Sequence, residues 1–392
     1  MTIKRSAVAL LLSLSVAACA GIIPDAVEQT SDRPIPAPPS PVPPPPEDVT
    51  TAPSGDNAIG QGVAAGPSVS ALDIDDDQAA RALTAFRISC PSLLRRDDPT
   101  GLTLASDWAE ACNAAHSWRD DPVEFFVDHF RAVQVGSGQA FATGYYEPEI
   151  DGARSRNPDY AWPIYSLPET IPSPACTNDC GDDRPPLSRG SIEEGELEGR
   201  GLEIAWARDL VDLYFLHVQG SGILRLPDGE TMRIGYAGNN GYPYTSIGRL
   251  MRDQGLLAAG QTTAEGIAAW LRENPEQGRA IMQSNRRYIF FNELTGAGPL
   301  GSLGRPVTPR ATVAADPAFV PLGAPVFLDL EHDVADGLWI AQDTGSAIRG
   351  ANRFDTFWGA GEAAYAIASG MASRGQAYVL VPNASAARLR AD

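Results

Sequence analysis

Metal-binding and cofactor signatures are scarce in this sequence. Its four His residues fall at no ligand spacing, and Cys176-Thr-Asn-Asp-Cys180 lacks the second ligand pair that a structural zinc site needs. The chain contains no Gly-rich phosphate loop, no serine elbow and no internal repeat. These absences leave no cofactor and no metal to expect. Positive charge is also in short supply: 30 Lys and Arg stand against 49 Asp and Glu, a formal net charge of −19. A polyanion would be repelled, which argues against nucleic acid or an anionic membrane surface as the main partner and favours neutral or zwitterionic ligands.

Long apolar runs are missing too. The longest near the start, Ala7 to Leu14, is far shorter than the roughly 20 residues of a spanning helix. It follows the basic Lys4 and Arg5 and precedes Val16-Ala17-Ala18-Cys19, the layout of an export signal. Cleavage before Cys19 would leave a cysteine for lipid attachment, resembling a bacterial lipoprotein. Ala20 after it resembles an outer-membrane destination, and a plain secretory signal is the alternative. Several acyl chains make such an anchor stable where one is marginal. Residues 20–72 then read as a disordered linker, since Pro36-Ala-Pro-Pro-Ser-Pro-Val-Pro-Pro-Pro-Pro46 favours extended polyproline II. An even set of Cys90, Cys112, Cys176 and Cys180 remains for disulfides in an exported chain, with neighbours in sequence as the natural pairs.

From Asp73 onward the pattern is globular, and 43% of residues are hydrophobic. Helices are predicted at Gln78 to Cys90, behind three acidic residues that suit the positive end of a helix dipole, and at Pro122 to Val133 behind a capping Asp121. Leu213 to Val218 reads as a strand running into Gly220, followed by strands at Ile223 to Leu226 and Met232 to Tyr236. Further helices are expected at Ile247 to Gln254, after the capping box Thr262 to Glu265, and at Glu362 to Arg374. Tyr288 to Phe291, Ala311 to Val313, Pro325 to Leu330, Leu338 to Gln342 and Ala377 to Val381 read as short strands. Together they suggest a small closed barrel with one helix.

The chemistry concentrates in Asp343-Thr-Gly-Ser-Ala-Ile-Arg-Gly-Ala-Asn-Arg-Phe-Asp355. Two carboxylates flank a turn-rich segment, and Phe354, Phe357 and Trp358 crowd the second. An apolar wall and a neighbouring carboxylate both raise a carboxyl pKa, so one of the pair could stay protonated near neutrality and act as an acid. The plainer alternative is that both cap turns or pair with Arg349 and Arg353. Gly144-Tyr145-Tyr146-Glu147 offers aromatic faces on which sugar rings stack, or else core residues. Gln219 and Ser221 either face a ligand or satisfy turn backbone.

Gly144-Tyr-Tyr-Glu-Pro148, His217-Val-Gln-Gly-Ser-Gly222, Gly241-Tyr-Pro-Tyr244, and Asp343 to Gly350 with Arg353-Phe-Asp355 resemble the membrane-bound lytic murein transglycosylase A family, across roughly residues 80–385. The last segment resembles that family's three-aspartate domain. The resemblance implies a mainly β fold: a double-psi β-barrel from residues 73–147 and 287–392, a second β-rich domain inserted at residues 148–286, and a groove between them. It implies Asp355 as the catalytic acid and Asp343 as its neighbour, with Asp329 or Asp316 as the third aspartate. Tyr145, Tyr146, Gln219, Ser221 and Thr344 would position the glycan. The reaction implied is non-hydrolytic cleavage of peptidoglycan to 1,6-anhydro-N-acetylmuramic acid ends, by a lipoprotein in the cell envelope. Its expected partners are glycan strands, the outer membrane through the lipid, and cell-wall synthesis or division proteins. A hydrolase using Asp343 or Glu147 as base, a non-catalytic wall-binding lipoprotein and a structural tether remain the alternatives.

Overall fold

A computed structural model describes residues 55–169, 187–258, 261, 263–296 and 298–389. Cys19, the proline-rich segment, Cys176, Cys180 and Thr262 lie outside the described residues. In chain order the strands are β1 (Val63–Ala65), β2 (Phe130–Val135) and β3 (Gln139–Glu147), then β4 (Glu149–Ala153), β5 (Trp162–Tyr165), β6 (Glu203–Ala207), β7 (Ser221–Arg225), β8 (Thr231–Asn239) and β9 (Ile289–Glu293). The chain finishes with β10 (Thr312–Ala315), β11 (Pro325–Leu330), β12 (Gly337–Asp343), β13 (Arg353–Ala360) and β14 (Ala372–Pro382).

Two sheets result. One runs β1-β2-β14-β11-β12-β10-β13-β3, and a further pairing of β14 with β3 closes six of its strands into a barrel. Closure removes exposed edges, which is how short strands of this kind stay soluble. Most neighbours are antiparallel, but β10 pairs with β12, and β13 with β3, in parallel. The other sheet runs β5-β6-β4-β7-β8-β9. Only Pro148 separates β3 of the barrel from β4 of the second sheet. The strand Ile289–Glu293, placed with the barrel by the sequence reading, pairs with β8 in the second sheet. Ordered structure also starts before Asp73: β1 pairs with β2, and a Cβ on Gly66 would lie 3.0 Å from that of Ala132.

The barrel packs against the helix Asp76–Leu93, which buries Ala79, Ala82, Leu83, Ala85 and Phe86. Asp75 starts this helix by accepting from the Gln78 amide at 2.7 Å, and a disulfide joins Cys90 to Cys112 on the helix Ala109–Ser117. Burying apolar side chains across this seam supplies the main driving force for the domain. One buried polar group crosses it: Gln342 on β12 donates to the carbonyl of Ala85 and to Ser89 Oγ, both at 3.0 Å, and accepts from Thr312.

Local propensity misled the sequence reading in four places. Leu210–Gln219 is a helix, not a strand: Asp209 caps it by accepting from the Asp212 amide, and Gly220 ends it in the left-handed region at φ 82°. Its apolar run is buried as a helix face, with Val211, Tyr214 and Leu216 inward. The helix at Pro122 stops at His129, and Phe130 to Val135 turn into strand β2. Gly361–Ala368 is helical, but residues from Ala372 onward enter β14, where pairing with β3 and β11 outweighs helical periodicity. Finally Arg353–Ala360, taken for part of a turn-rich segment, is a strand.

Gly144 marks a close approach beside the groove: a Cβ there would lie 2.9 Å from both the Cα of Ala368 and Nε1 of Trp358. Gly144→Ala is expected to cost about 1–3 kcal/mol through overpacking. Urea unfolding of the variant and the parent would measure it, and equal midpoints would mean that the helix Gly361–Ala368 yields.

Candidate active site

Strand pairing puts the two aspartates in one place. On β10, Ala314 is opposite Asp343 of β12 on one side and Asp355 of β13 on the other. A methyl group is all that stands between them at that register, so the space above Ala314 is open. The parallel pairing of β13 with β3 sets Thr143 beside Asp355 and Tyr145 beside Phe357. A cavity of about 200 Å³ is lined by Gly144, Tyr145, Gln219, Ala314, Asp343 and Asp355. It adjoins a larger cleft of about 710 Å³ that also takes in Ser221, Tyr244 and Thr344.

The two carboxyls are held differently. Asp343 accepts four hydrogen bonds: from the amides of Ser302 and Thr344 at 2.9 Å each, and from the hydroxyls of Ser302 and Tyr145 at 3.0 Å each. Burial raises its pKa and those four donors pull it back, leaving a net rise. Asp355 accepts one hydrogen bond, from Thr143 Oγ1 at 2.7 Å. Burial pushes its pKa up to about 6, against the pull of Arg353 and Thr143, and the Asp343 charge adds to the rise. Four donors therefore favour the charged form of Asp343, while Asp355, with less such support, keeps its proton up to about pH 6. The apolar wall differs from the sequence expectation. Strand alternation turns Phe354 and Trp358 into the core, and Phe357 shares the Asp355 face, its ring 4.9 Å from that of Tyr145.

Other candidate residues are only partly gathered here. Gln219 reaches the cleft from the C-terminal end of its helix, and its Oε1 accepts from the Tyr146 amide at 3.4 Å. Tyr146 faces away from Tyr145, into a separate cavity, with its ring 5.2 Å from Tyr365. The two tyrosines therefore do not form one stacking platform. Glu147, the alternative base, is 1% exposed and receives Arg233 Nε at 3.1 Å, which ties the barrel to the second sheet. Asp329 lies exposed on β11. Asp316 is buried and accepts from the Gly350 amide at 2.8 Å, pinning the loop that joins the two aspartate-bearing strands. Gly350 has φ 90°, a conformation that favours glycine there.

Behind the cleft wall, His217 is buried beside Arg189, whose Nη1 lies 2.9 Å from His217 Nδ1. Arginine only donates, so Nδ1 accepts and the imidazole is neutral. Burial and then the Arg189 charge lower its pKa well below the ordinary value, which removes it as an acid. Thr143 and Ser302 were not singled out from sequence. Thr143 was legible in principle as the residue before Gly144 in a strand, whereas Ser302 reaches Asp343 through a contact 41 residues apart that no local pattern announces.

Two family models match the chain: an MltA specific insert domain at residues 141–292 and a 3D domain at residues 311–381. The chain is 31% identical over 256 residues to a membrane-bound lytic murein transglycosylase A of Vibrio cholerae, covering 62% of this chain and 66% of that protein. It thus spans about two thirds of that relative's length. A crystal structure of MltA from Neisseria gonorrhoeae superposes with TM-score 0.67 and 34% identity, covering 81% of this chain and 90% of that one. A crystal structure of E. coli MltA with bound chitohexaose gives TM-score 0.62 and 25% identity, covering 79% and 91%.

The raised Asp355 carboxyl has a stability consequence. Its folded pKa exceeds that of an unfolded aspartate, so its contribution is whole below about pH 4 and is lost as pH rises through about 6. Asp355→Asn is expected to be more stable than the parent at pH 8, on the order of 2 kcal/mol. The gap should close by pH 4. Chemical unfolding at the two pH values reads this, and an equal gap at both would remove the raised pKa.

Proposed function

Since the chain belongs to the membrane-bound lytic murein transglycosylase A family, a family of lyases that act on peptidoglycan, we propose that Asp355 is its single acid and base. In the first step the Asp355 carboxyl gives its proton to the oxygen between N-acetylmuramic acid and N-acetylglucosamine, and the bond from that oxygen to C1 breaks. In the second, the C6 hydroxyl of the same N-acetylmuramic acid attacks C1 while the Asp355 carboxylate takes the hydroxyl proton. A 1,6-anhydro ring forms, the acid is regenerated and no water is consumed. The nucleophile is already tethered to the reacting sugar, so the second step gains from proximity.

The observation that carries this reading is the unequal treatment of the carboxyls. Asp355 holds a proton to about pH 6, while Asp343 is saturated by four donors. A glycosidase that activates water needs a second carboxylate free to act as base or nucleophile. Asp343 is committed to its donors and Glu147 to Arg233, which weakens the hydrolase reading. Asp343 instead holds Tyr145 and the Ser302 loop in place and, as an anion, adds to the rise that burial gives the Asp355 pKa. Gln219, Ser221 and Thr344 line the cleft where a glycan strand would lie, and chitohexaose in the E. coli relative supports a glycan there.

The barrel part is taken as residues 55–147 and 294–389, with the inserted part at residues 149–293, following the two sheets. The family's membrane-bound relatives place the protein in the cell envelope. Attachment to the outer membrane through a lipid on Cys19, with residues 20–54 as spacer, is the finer reading that the sequence supports.

With sacculi as substrate, the parent is expected to release muropeptides ending in 1,6-anhydro-N-acetylmuramic acid, one water lighter than reducing-end products by mass spectrometry. Asp355→Asn should lose at least about a thousandfold in kcat with chitohexaose binding retained, as for removal of a proton carrier. Asp343→Asn should lose less and lower the pH above which the rate falls. In the parent kcat/KM should fall as pH rises above about 6, where Asp355 loses its proton. Reducing ends among the products would mean hydrolysis, and activity in a folded Asp355→Asn would move the acid elsewhere.

A further inference from the structure

The cleft that holds Asp343 also contains two arginines with no carboxylate partner among the described residues, Arg287 and Arg349. That is unusual in a chain of net charge −19, where acidic groups outnumber basic ones. Arg287 precedes β9 of the second sheet; its Nη1 donates to the carbonyl of Tyr242 at 3.1 Å, which fixes the side chain and leaves the rest of the guanidinium uncommitted. Arg349 comes from the other wall, on the loop that joins the aspartate-bearing strands. That loop is held on both sides of it: Ile348 is buried and its amide donates to the Gly345 carbonyl at 3.1 Å, and the Gly350 amide donates to Asp316 at 2.8 Å. The two cations are close enough to repel: burial weakens the hold of Arg287 on its proton, Tyr236 opposes this, and the Arg349 charge weakens it further. Asp343 does not relieve this, because its oxygens are taken by Ser302, Thr344 and Tyr145. Two guanidiniums facing one space across a cleft, with no carboxylate partner among the described residues, form a ready fork-like receptor for a carboxylate.

We infer that Arg287 and Arg349 bind a carboxylate carried by the substituent on O3 of N-acetylmuramic acid, so that the cleft reads more than the sugar backbone. The inference rests on the glycan-cleaving reading above. A strand of N-acetylated sugars is neutral along its backbone, and its carboxylates sit on that O3 lactyl arm. In a naked strand the lactyl carboxylate is itself free. In a peptide-bearing strand it is consumed in an amide, and the carboxylates are those of the peptide. Both sources present the same anion to the same pair. Chitohexaose has neither, and serves as the neutral baseline.

The test compares the parent with Arg349→Gln, whose side chain is exposed, and with Arg287→Gln and Arg349→Glu. The substrates are naked glycan strands and peptide-bearing strands, and chitohexaose is the binding control. Arg349→Gln is expected to lower kcat/KM about tenfold on at least one carboxylate-bearing strand, the size of one charge-assisted contact. Arg349→Glu should lower it further, and added salt should shrink the difference between parent and variant. The Kd for chitohexaose should stay within about twofold. Loss confined to naked strands identifies the lactyl carboxylate as the ligand, and loss confined to peptide-bearing strands identifies the peptide. The inference is overturned if both strand types keep kcat/KM within about twofold in the Arg349 and Arg287 variants. It is equally overturned if chitohexaose binding weakens by as much as the strands do. Should the parent release no anhydro ends, the lytic reading fails on its own, and equilibrium binding of the same strands to parent and Arg349→Gln still decides the arginine pair.

Discussion

The parallel pairing of Arg353–Ala360 with Gln139–Glu147 is the constraint on which the groove depends. It joins segments about 210 residues apart and, in one register, sets the donor Thr143 beside Asp355 and gives Tyr145 the Phe357 ring to lean on. A slip of one residue would turn Asp355 into the core and Phe354 into the groove, because side chains alternate along a strand. The barrel's closure resists such a slip, since Gln139–Glu147 is paired on its other edge as well, with Ala372–Pro382. Thr356 reinforces the register by donating to the carbonyl of Thr143 at 2.9 Å.

The second sheet is joined to this frame at a narrow point. The chain passes through Pro148 from one sheet into the other, and the Pro148 carbonyl accepts from the Ile223 amide at 2.8 Å. Beside it, the buried Glu147 meets Arg233. A buried carboxylate is tolerable because that partner compensates for its lost hydration, and removing Arg233 would leave the charge unpaired. The seam therefore holds the wall that carries Gln219 and Ser221 against the wall that carries the aspartates. A long polymer can lie along a cleft with such walls, whereas a closed pocket would admit only its end.

The groove is costly to the fold. A carboxyl held at a pKa near 6 loses stability once it ionises, and two arginines with no carboxylate partner among the described residues repel one another. Conflicts of this kind gather where a ligand or a reaction resolves them. The surrounding structure offsets the strain with a well-packed seam between the helix Asp76–Leu93 and the barrel, and with the fully bonded Gln342 buried within it.

Much of this was determined by the sequence alone. The aspartates, the glycines between them and the motif order carry their meaning locally, because acid chemistry and turn geometry are set by residue type and spacing. The barrel strands with clear β-branched or aromatic runs were legible for the same reason. Tertiary structure decided the rest. Leu210–Gln219 became a helix because caps at Asp209 and Gly220 and burial of one face outweighed its strand-like composition. Tyr145 and Tyr146 were parted by strand alternation, and the apolar wall beside Asp355 proved to be Phe357 with Tyr145. Ser302, Thr143 and the facing arginines act through contacts between distant segments. Such contacts exist only once the chain has closed, and no periodicity in the sequence records them.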